Sequence, residues 1–390
     1  MTVTGKTLEP TIVRLHEFAD TSPEGHLYYG VHVLDALHDI PDNSVHVVCT
    51  SPPYWNLRDY GDPGQIGLEP TPEEYVQQLV EVFREIRRVL RPDGTLWLNI
   101  GDSYAPDGKR GFKPRDLMGL PWRVAFALQK EGWYLRAAAP WIKRTCMPEN
   151  VQSRPTVAHE MVFLLSGSDR YFYDKEAVQK TGRNRRSSDW FLESIQDILD
   201  GGQAMLVDDD GMPLSFHANP KGFKGAHFAC FPPKLVEPCL LAGTSQHGVC
   251  PQCGSPWKRL IEFGEVLSTG GSSTGARASN MGQVSVLDQN PEKGAYNTGN
   301  MVQREHITTG WEPTCECGGE ERGRPLVLDP FSGSATTGQV AMSLGCDYVG
   351  LDLQAEYLPV AVARLRGEAV PPKKVGTEEE DLFAMLEDKD

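Results

Sequence analysis

Val327-Leu328-Asp329-Pro330-Phe331-Ser332-Gly333-Ser334-Ala335-Thr336-Thr337-Gly338 decides the fold, because an apolar strand runs there into a turn of small residues and out into a helix. The helix continues through Gln339-Val340-Ala341-Met342-Ser343-Leu344 and is closed by Gly345. A further strand, Tyr348-Val349-Gly350-Leu351, ends in Asp352, about twenty residues past the glycine turn, where a doubly wound fold places a carboxylate for ribose hydroxyls. Small side chains let backbone N–H groups and a helix N-terminus approach a ligand closely. A lone glycine turn says little; strand, turn, helix, strand and acid in this order say much more.

Toward the N-terminus, Val45-His46-Val47-Val48-Cys49 is a short apolar run of the kind buried on both faces of a parallel sheet. It leads into Thr50-Ser51-Pro52-Pro53-Tyr54-Trp55. Each proline fixes its own φ, lacks an N–H and biases its predecessor away from helix, so the chain leaves the sheet in a stiff, extended turn. The Ser51 hydroxyl and Pro52 carbonyl are then free to accept hydrogens from a ligand's amino group, with Tyr54 or Trp55 offering an exposed aromatic face.

From Tyr28 onward, strand and helix patterns alternate. Thr71-Pro72-Glu73-Glu74 reads as an N-cap, a first-turn proline and a capping-box glutamate ahead of Leu79, Val82, Phe83, Ile86 and Leu90 on one helical face. Arg91-Pro92-Asp93-Gly94 ends that helix before the strand Thr95–Ile100; Leu120–Gln129 is a second helix and Glu160–Leu165 another strand. The expected fold class is α/β, a doubly wound, mostly parallel sheet. Residues 1–27 read as an N-terminal arm, 28–174 as the catalytic part, 175–226 as a polar, basic and aromatic insertion, 227–249 with 319–366 as the glycine-turn part, 250–318 as a cysteine-bearing insertion and 367–390 as an acidic tail.

The Ser-Pro-Pro-Tyr and Asp-Pro-Phe-Ser-Gly motifs together resemble the amino-group DNA methyltransferases, and their order is the permuted arrangement of that family's β class. The resemblance extends to Phe231-Pro232, to Trp141–Lys143 and to His159-Glu160, covering most of residues 28–366. It implies a Rossmann-like fold, S-adenosylmethionine as cofactor, duplex DNA as substrate and a flipped target base stacked on Tyr54 or Trp55. Ser51, Pro52, Pro53 and Tyr54 become the catalytic residues. Asp329, Pro330, Phe331, Ser332, Gly333, Ser334, Thr336, Thr337 and Asp352 become the cofactor contacts, with Phe231 and Pro232. Residues 175–226 become the target-recognition region. Serine at the head of the motif is more frequent among N4-cytosine enzymes, which favours cytosine N4 over adenine N6. A restriction endonuclease of the same specificity is the expected partner. The chain departs from the family at three places: Val31-His32 replaces Gly-Asp, Ala335 replaces a common glycine, and His46 replaces a frequent aspartate.

Other readings fit less well. Pro238-Cys239 and Glu149-Asn150-Val151 imitate motifs of cytosine-C5 enzymes, but their order is reversed and Cys239 lies in an apolar helical stretch. Protein-glutamine methyltransferases use Asn-Pro-Pro-Tyr after the cofactor motif. A zinc-ribbon DNA-binding protein without catalysis would have no need of an intact Ser-Pro-Pro-Tyr.

The chain has 390 residues, a net charge of −15 and no apolar run of membrane-spanning length, so a cytoplasmic protein is expected, and the family resemblance implies a bacterial, archaeal or phage origin. Much of the acid lies in the tail and in Asp208-Asp209-Asp210, whereas Lys109, Arg110, Lys113, Arg183, Arg185 and Arg186 form basic clusters suited to phosphates. The nine cysteines include Cys250-Pro251-Gln252-Cys253-Gly254 and Cys315-Glu316-Cys317-Gly318. Two thiolate pairs on tight turns make a tetrahedral zinc site, and four thiolates leave no position for water, so the metal would be structural.

Overall fold

The computed structural model describes residues 8–14, 22–105, 112–143, 153–178, 205–207, 213–217, 231–270 and 301–370. Its strands are β1 (Thr11–Arg14), β2 (Glu24–Tyr29), β3 (Val45–Thr50), β4 (Leu90–Ile100), β5 (Tyr134–Ile142), β6 (His159–Ser166), β7 (Met205–Val207), β8 (Pro213–His217), β9 (Trp257–Gly270), β10 (Met301–Pro313), β11 (Leu326–Asp329) and β12 (Asp347–Asp352). All but β9 and β10 join one sheet in the order β1-β2-β12-β11-β3-β4-β6-β5-β8-β7. The neighbours β2, β12, β11, β3 and β4 are parallel, and β6 enters antiparallel between β4 and β5. This is the doubly wound, mostly parallel architecture expected from the alternation.

Helices cover both faces. α1 (Val33–His38), α2 (Pro72–Val89) and α3 (Leu120–Lys130) pack Leu37, Phe83 and Val124 with Val48 and Leu98 on one side. A short α4 (Lys175–Val178), then α5 (Pro233–Gly243), α6 (Thr336–Ser343) and α7 (Leu358–Arg366), bury Val178, Leu240, Ala341 and Leu365 with Val47 and Cys49 on the other. Every residue of β3 is buried because the strand serves both cores. α2 begins as its sequence predicts: Thr71 accepts from the Glu74 amide while the Glu74 carboxylate accepts from the Thr71 amide. Among the described residues no helix is long and apolar enough to cross a membrane.

Two segments differ from expectation. The stretch read as an arm, 1–27, contains edge strand β1 and the start of β2; four residues with only Val13 buried are too few for a period to show. In the insertion 175–226, the Ala177 amide of α4 donates to Asp174 Oδ1, and β7 and β8 extend the sheet beyond β5. Lys109, Arg110, Arg183, Arg185 and Arg186 lie outside the described residues, as does the tail from residue 371. Within the cysteine-bearing insertion, the described residues form an antiparallel two-stranded ribbon of β9 and β10 beside the two cysteine pairs.

Candidate active site

β3 and β11 are adjacent and parallel, and the chain proceeds from β11 to β12 on one side and from β3 to β4 on the other. That divergence opens a crevice beyond the carboxyl ends of the two strands, the usual ligand position in a doubly wound sheet. The Ser51 turn and the Asp329 turn therefore face one another across it. Thr50 Oγ1 donates to Asp329 Oδ1 at 2.6 Å, Thr337 Oγ1 donates to Oδ2 at 2.8 Å, and the Phe331 amide donates to Oδ1 at 3.1 Å. Burial pushes the Asp329 carboxyl up to about 6 despite these bonds. Asp329 is thus a brace between two turns, not an open ligand contact.

The hydroxyls of the glycine turn are likewise turned inward. Ser332 Oγ meets the hydroxyls of Tyr29 and Tyr348, each at 2.7 Å, while Ser334 Oγ and Thr336 Oγ1 accept from the buried Arg364 guanidinium. Ser332, Ser334, Thr336 and Thr337 thus have their hydroxyls occupied within the protein and offer a ligand their backbone, the kind of contact that small residues in such a turn allow. Their inward bonds leave the turn lined by main chain, with Phe331 the one half-exposed side chain between Val327 and Gly338. Pro330 and Gly333 are buried in the same turn. Ala335, where the family has glycine, adopts φ 58°, the left-handed conformation that glycine tolerates best. Asp352, at the end of β12, accepts from the Gly333 and Gln354 amides, and burial raises its carboxyl to about 6. It stands beside the turn, as its position in the sequence predicts.

On the β3 side, the Pro53 carbonyl accepts from Tyr75 of α2 at 2.8 Å, pinning the proline turn to the helix. Among the described residues the Pro52 carbonyl has no hydrogen-bond partner. Ser51 Oγ lies 3.1 Å from the Tyr54 hydroxyl, and Tyr54 donates to Glu160 Oε2 at 2.6 Å. Asn99 of β4 points Nδ2 at Ser51 Oγ (3.2 Å), Tyr54 Oη (2.9 Å) and Glu160 Oε2 (2.8 Å), and Lys143 pairs with Glu160 Oε1. Burial and the nearby Glu160 carboxylate raise the Tyr54 phenol well above its ordinary value, so it stays protonated. The Tyr54 ring rests on Gly101, where a Cβ would come within 2.6 Å of Cε2.

Trp55 corrects the expectation of a second exposed aromatic. It is 0% exposed, with Nε1 donating to the Glu69 carbonyl, because the turn after Tyr54 folds it into the core beneath α2. Lys143 and Glu160 fall in the stretches Trp141–Lys143 and His159-Glu160 that carry the family resemblance, but the sequence assigns them no role. Asn99 belongs to no motif, and its one signal is a polar residue within the apolar run Leu96-Trp97-Leu98-Asn99-Ile100.

Phe231 is half-buried and Pro232 caps α5, which packs against β3. Cys239 is buried within that helix, as an apolar residue would be. Lys113 is exposed in the loop leading to α3. His32, in place of an acid, caps α1 through Nδ1. The sulfurs of Cys250, Cys253, Cys315 and Cys317 lie within 4.8 Å of one another, and hydrogen bonding with Ser255 holds the Cys253 thiol down at about 6. A tetrahedral ion with Zn–S bonds of about 2.3 Å sets sulfurs about 3.8 Å apart, so this all-thiol set fits zinc. His46 connects the knuckle to the sheet: its Nε2 meets the Gly254 carbonyl at 2.8 Å and its Nδ1 accepts from Leu326 at 3.0 Å. Burial lowers this imidazole to about 4, so it is neutral with the proton on Nε2.

The family model for N6/N4 methyltransferases, described as DNA methylase, matches residues 45–252 and 321–363. The Type II methyltransferase M.Cfr9I of Citrobacter freundii is 33% identical over 384 residues, 92% of this chain and 93% of that one. M.SmaI of Serratia marcescens, also named a Type II methyltransferase, is 38% identical over 352 residues, 85% of this chain and 87% of that one. Among solved structures, the PvuII DNA methyltransferase (cytosine-N4-specific) aligns with 96% of this chain and 95% of its own at 16% identity, with a TM-score of 0.49.

Proposed function

The chain belongs to the N6/N4 DNA methylase family, and on that premise we propose that it methylates the exocyclic N4 of a flipped cytosine in duplex DNA, using S-adenosylmethionine. The observation that carries this reading is the facing of two turns, Ser51-Pro52 and Asp329–Thr337, across one crevice at the ends of β3 and β11. When bound, S-adenosylmethionine supplies an electrophilic methyl on a sulfonium. The main-chain lining of the glycine turn, the α6 N-terminus and the Asp352 carboxylate suit a nucleoside bearing an amino acid. Phe331, Phe231 and Pro232 would flank it.

An exocyclic amine is a poor nucleophile because its lone pair is delocalised into the ring. Accepting its hydrogens at Ser51 Oγ and the Pro52 carbonyl favours a pyramidal nitrogen and stabilises positive charge as it attacks. Tyr54 offers the half-exposed ring for stacking, and Lys113 is the described member of the basic clusters proposed to meet phosphates. Cys250, Cys253, Cys315 and Cys317 would hold a structural zinc at the base of the β9–β10 ribbon. The name Type II methyltransferase among the relatives supports a paired restriction endonuclease and residence alongside cellular DNA.

Cytosine is preferred over adenine because Ser51, not an aspartate, heads the motif. Incubating the protein with S-adenosylmethionine and DNA, then measuring nucleosides by mass spectrometry, tests this. N4-methylcytosine is expected, and Ser51→Ala should reduce it at least tenfold. N6-methyladenine alone would reverse the choice of base.

A further inference from the structure

The geometry points to a proton relay in which Glu160 receives, through Tyr54 and Ser51, the proton released from the methylated amine. This rests on the reading of Ser51 as the acceptor of the target amine. The hydrogen-bond polarity follows from which groups carry protons. A carboxylate only accepts, so the Tyr54 hydroxyl proton is committed to Glu160 Oε2 at 2.6 Å. The 3.1 Å contact between Ser51 Oγ and Tyr54 Oη must then have Ser51 as donor. The Asn99 amide nitrogen, which only donates, lies within 3.2 Å of Ser51 Oγ, Tyr54 Oη and Glu160 Oε2 and shares its two hydrogens among these oxygens. Every hydroxyl proton thus points away from the crevice, and Ser51 keeps a lone pair for the amine.

Methyl transfer forms an N–C bond with the nitrogen lone pair as the S–C bond breaks and its electron pair returns to sulfur. The nitrogen is left with its two hydrogens and a positive charge. One proton passes to Ser51 Oγ while the serine proton moves to Tyr54 Oη and the tyrosine proton to Glu160 Oε2. Sulfonium and carboxylate charges disappear together, and both hydroxyls end as they began. A protonated ring amine is a far stronger acid than a carboxylic acid, so the transfer runs downhill. Tyr54 need not ionise, which suits a phenol whose burial disfavours the anion. Lys143 occupies the other oxygen of Glu160 and fixes the carboxylate's orientation. The Glu160 side chain is only 12% exposed, which screens the relay from competing water.

Single-turnover methylation of duplex DNA, with separate measurement of S-adenosylmethionine and DNA affinities, tests the relay. Glu160→Gln and Tyr54→Phe should each slow the chemical step by about 10²-fold or more while leaving both affinities within about threefold. Glu160→Asp should recover at least a tenth of the wild-type rate. The double variant should be no slower than the slower single, because residues acting as one chain are not additive. A Glu160→Gln or Tyr54→Phe protein that keeps a wild-type chemical rate overturns the relay alone. A wild-type protein that binds S-adenosylmethionine yet methylates neither base overturns the reading of the site and the relay with it.

Discussion

Thr50 at the end of β3 donates its hydroxyl to the buried carboxylate of Asp329 at the end of β11, 2.6 Å away, and so locks together the two turns that face the crevice. The same carboxylate holds Thr337 at the start of α6. One buried acid therefore sets the separation between the Ser-Pro-Pro turn and the glycine turn, a distance on which any in-line transfer depends.

The ionisation of Asp329 gives this brace a pH signature. Its carboxyl is raised to about 6 from an ordinary value of 3.8, so between those values the folded chain binds more protons than the unfolded chain. The sign is that stability falls as pH rises from about 4 to about 6, and the ionised brace persists above that. Asp329→Asn should flatten this part of the stability–pH curve. Thr50→Val removes a donor to the carboxylate and should cost about 1–3 kcal/mol, more at pH 8 than at pH 5. Chemical denaturation at the two pH values checks both, and an equal loss for Thr50→Val would contradict the assignment.

Trp55 and Tyr54 are neighbours with separate duties. Trp55→Ala should destabilise the fold by about 3–5 kcal/mol, because it empties a core position and leaves the Glu69 carbonyl without its donor. Trp55→Phe should cost less and leave base stacking intact, whereas Tyr54→Ala should reduce DNA methylation with a smaller effect on stability. Melting temperatures and fluorescence of 2-aminopurine at the target position separate the two. A loss of stacking signal in a folded Trp55→Phe protein would return Trp55 to the site.

The contrast between these neighbours shows what local pattern carries and what it does not. β3, the capping box of Thr71 and Glu74, and the turn from Asp329 to Gly338 are legible because each is decided within a dozen residues. The direction in which Trp55 points depends on α2 and Glu69, and the Ser51 network draws on β3, β4, β5 and β6 at once. Asn99 reaches Glu160 only because β6 runs antiparallel beside β4, with Asn99 opposite Val162. No spacing in the chain encodes that register. Nor did small polar residues in the glycine turn reveal that their hydroxyls face Arg364 and Tyr348 instead of the crevice.

The cysteine cluster lies at the other end of the sheet from the chemistry, and that separation makes a prediction. Arg91 donates to the Cys253 carbonyl at 2.7 Å and His46 to that of Gly254, so the knuckle grips the start of β3 and, through Leu326, the start of β11. Ser51 and Asp329 lie at the opposite ends of those strands; at about 3.3 Å per residue, the five residues from His46 to Ser51 span about 16 Å. Metal analysis should find about one zinc per chain, tightly held by four thiolates. Cys315→Ser should reduce that stoichiometry and lower the melting temperature, while the chemical rate of the protein that remains folded stays within about threefold of wild type. Chelation of the wild-type protein should reproduce the stability loss, since metal bound only to the folded state stabilises it by mass action. A methyl-transfer rate that vanished on chelation without any change in melting would give the metal a part in the chemistry that neither its ligands nor its distance from Ser51 supports.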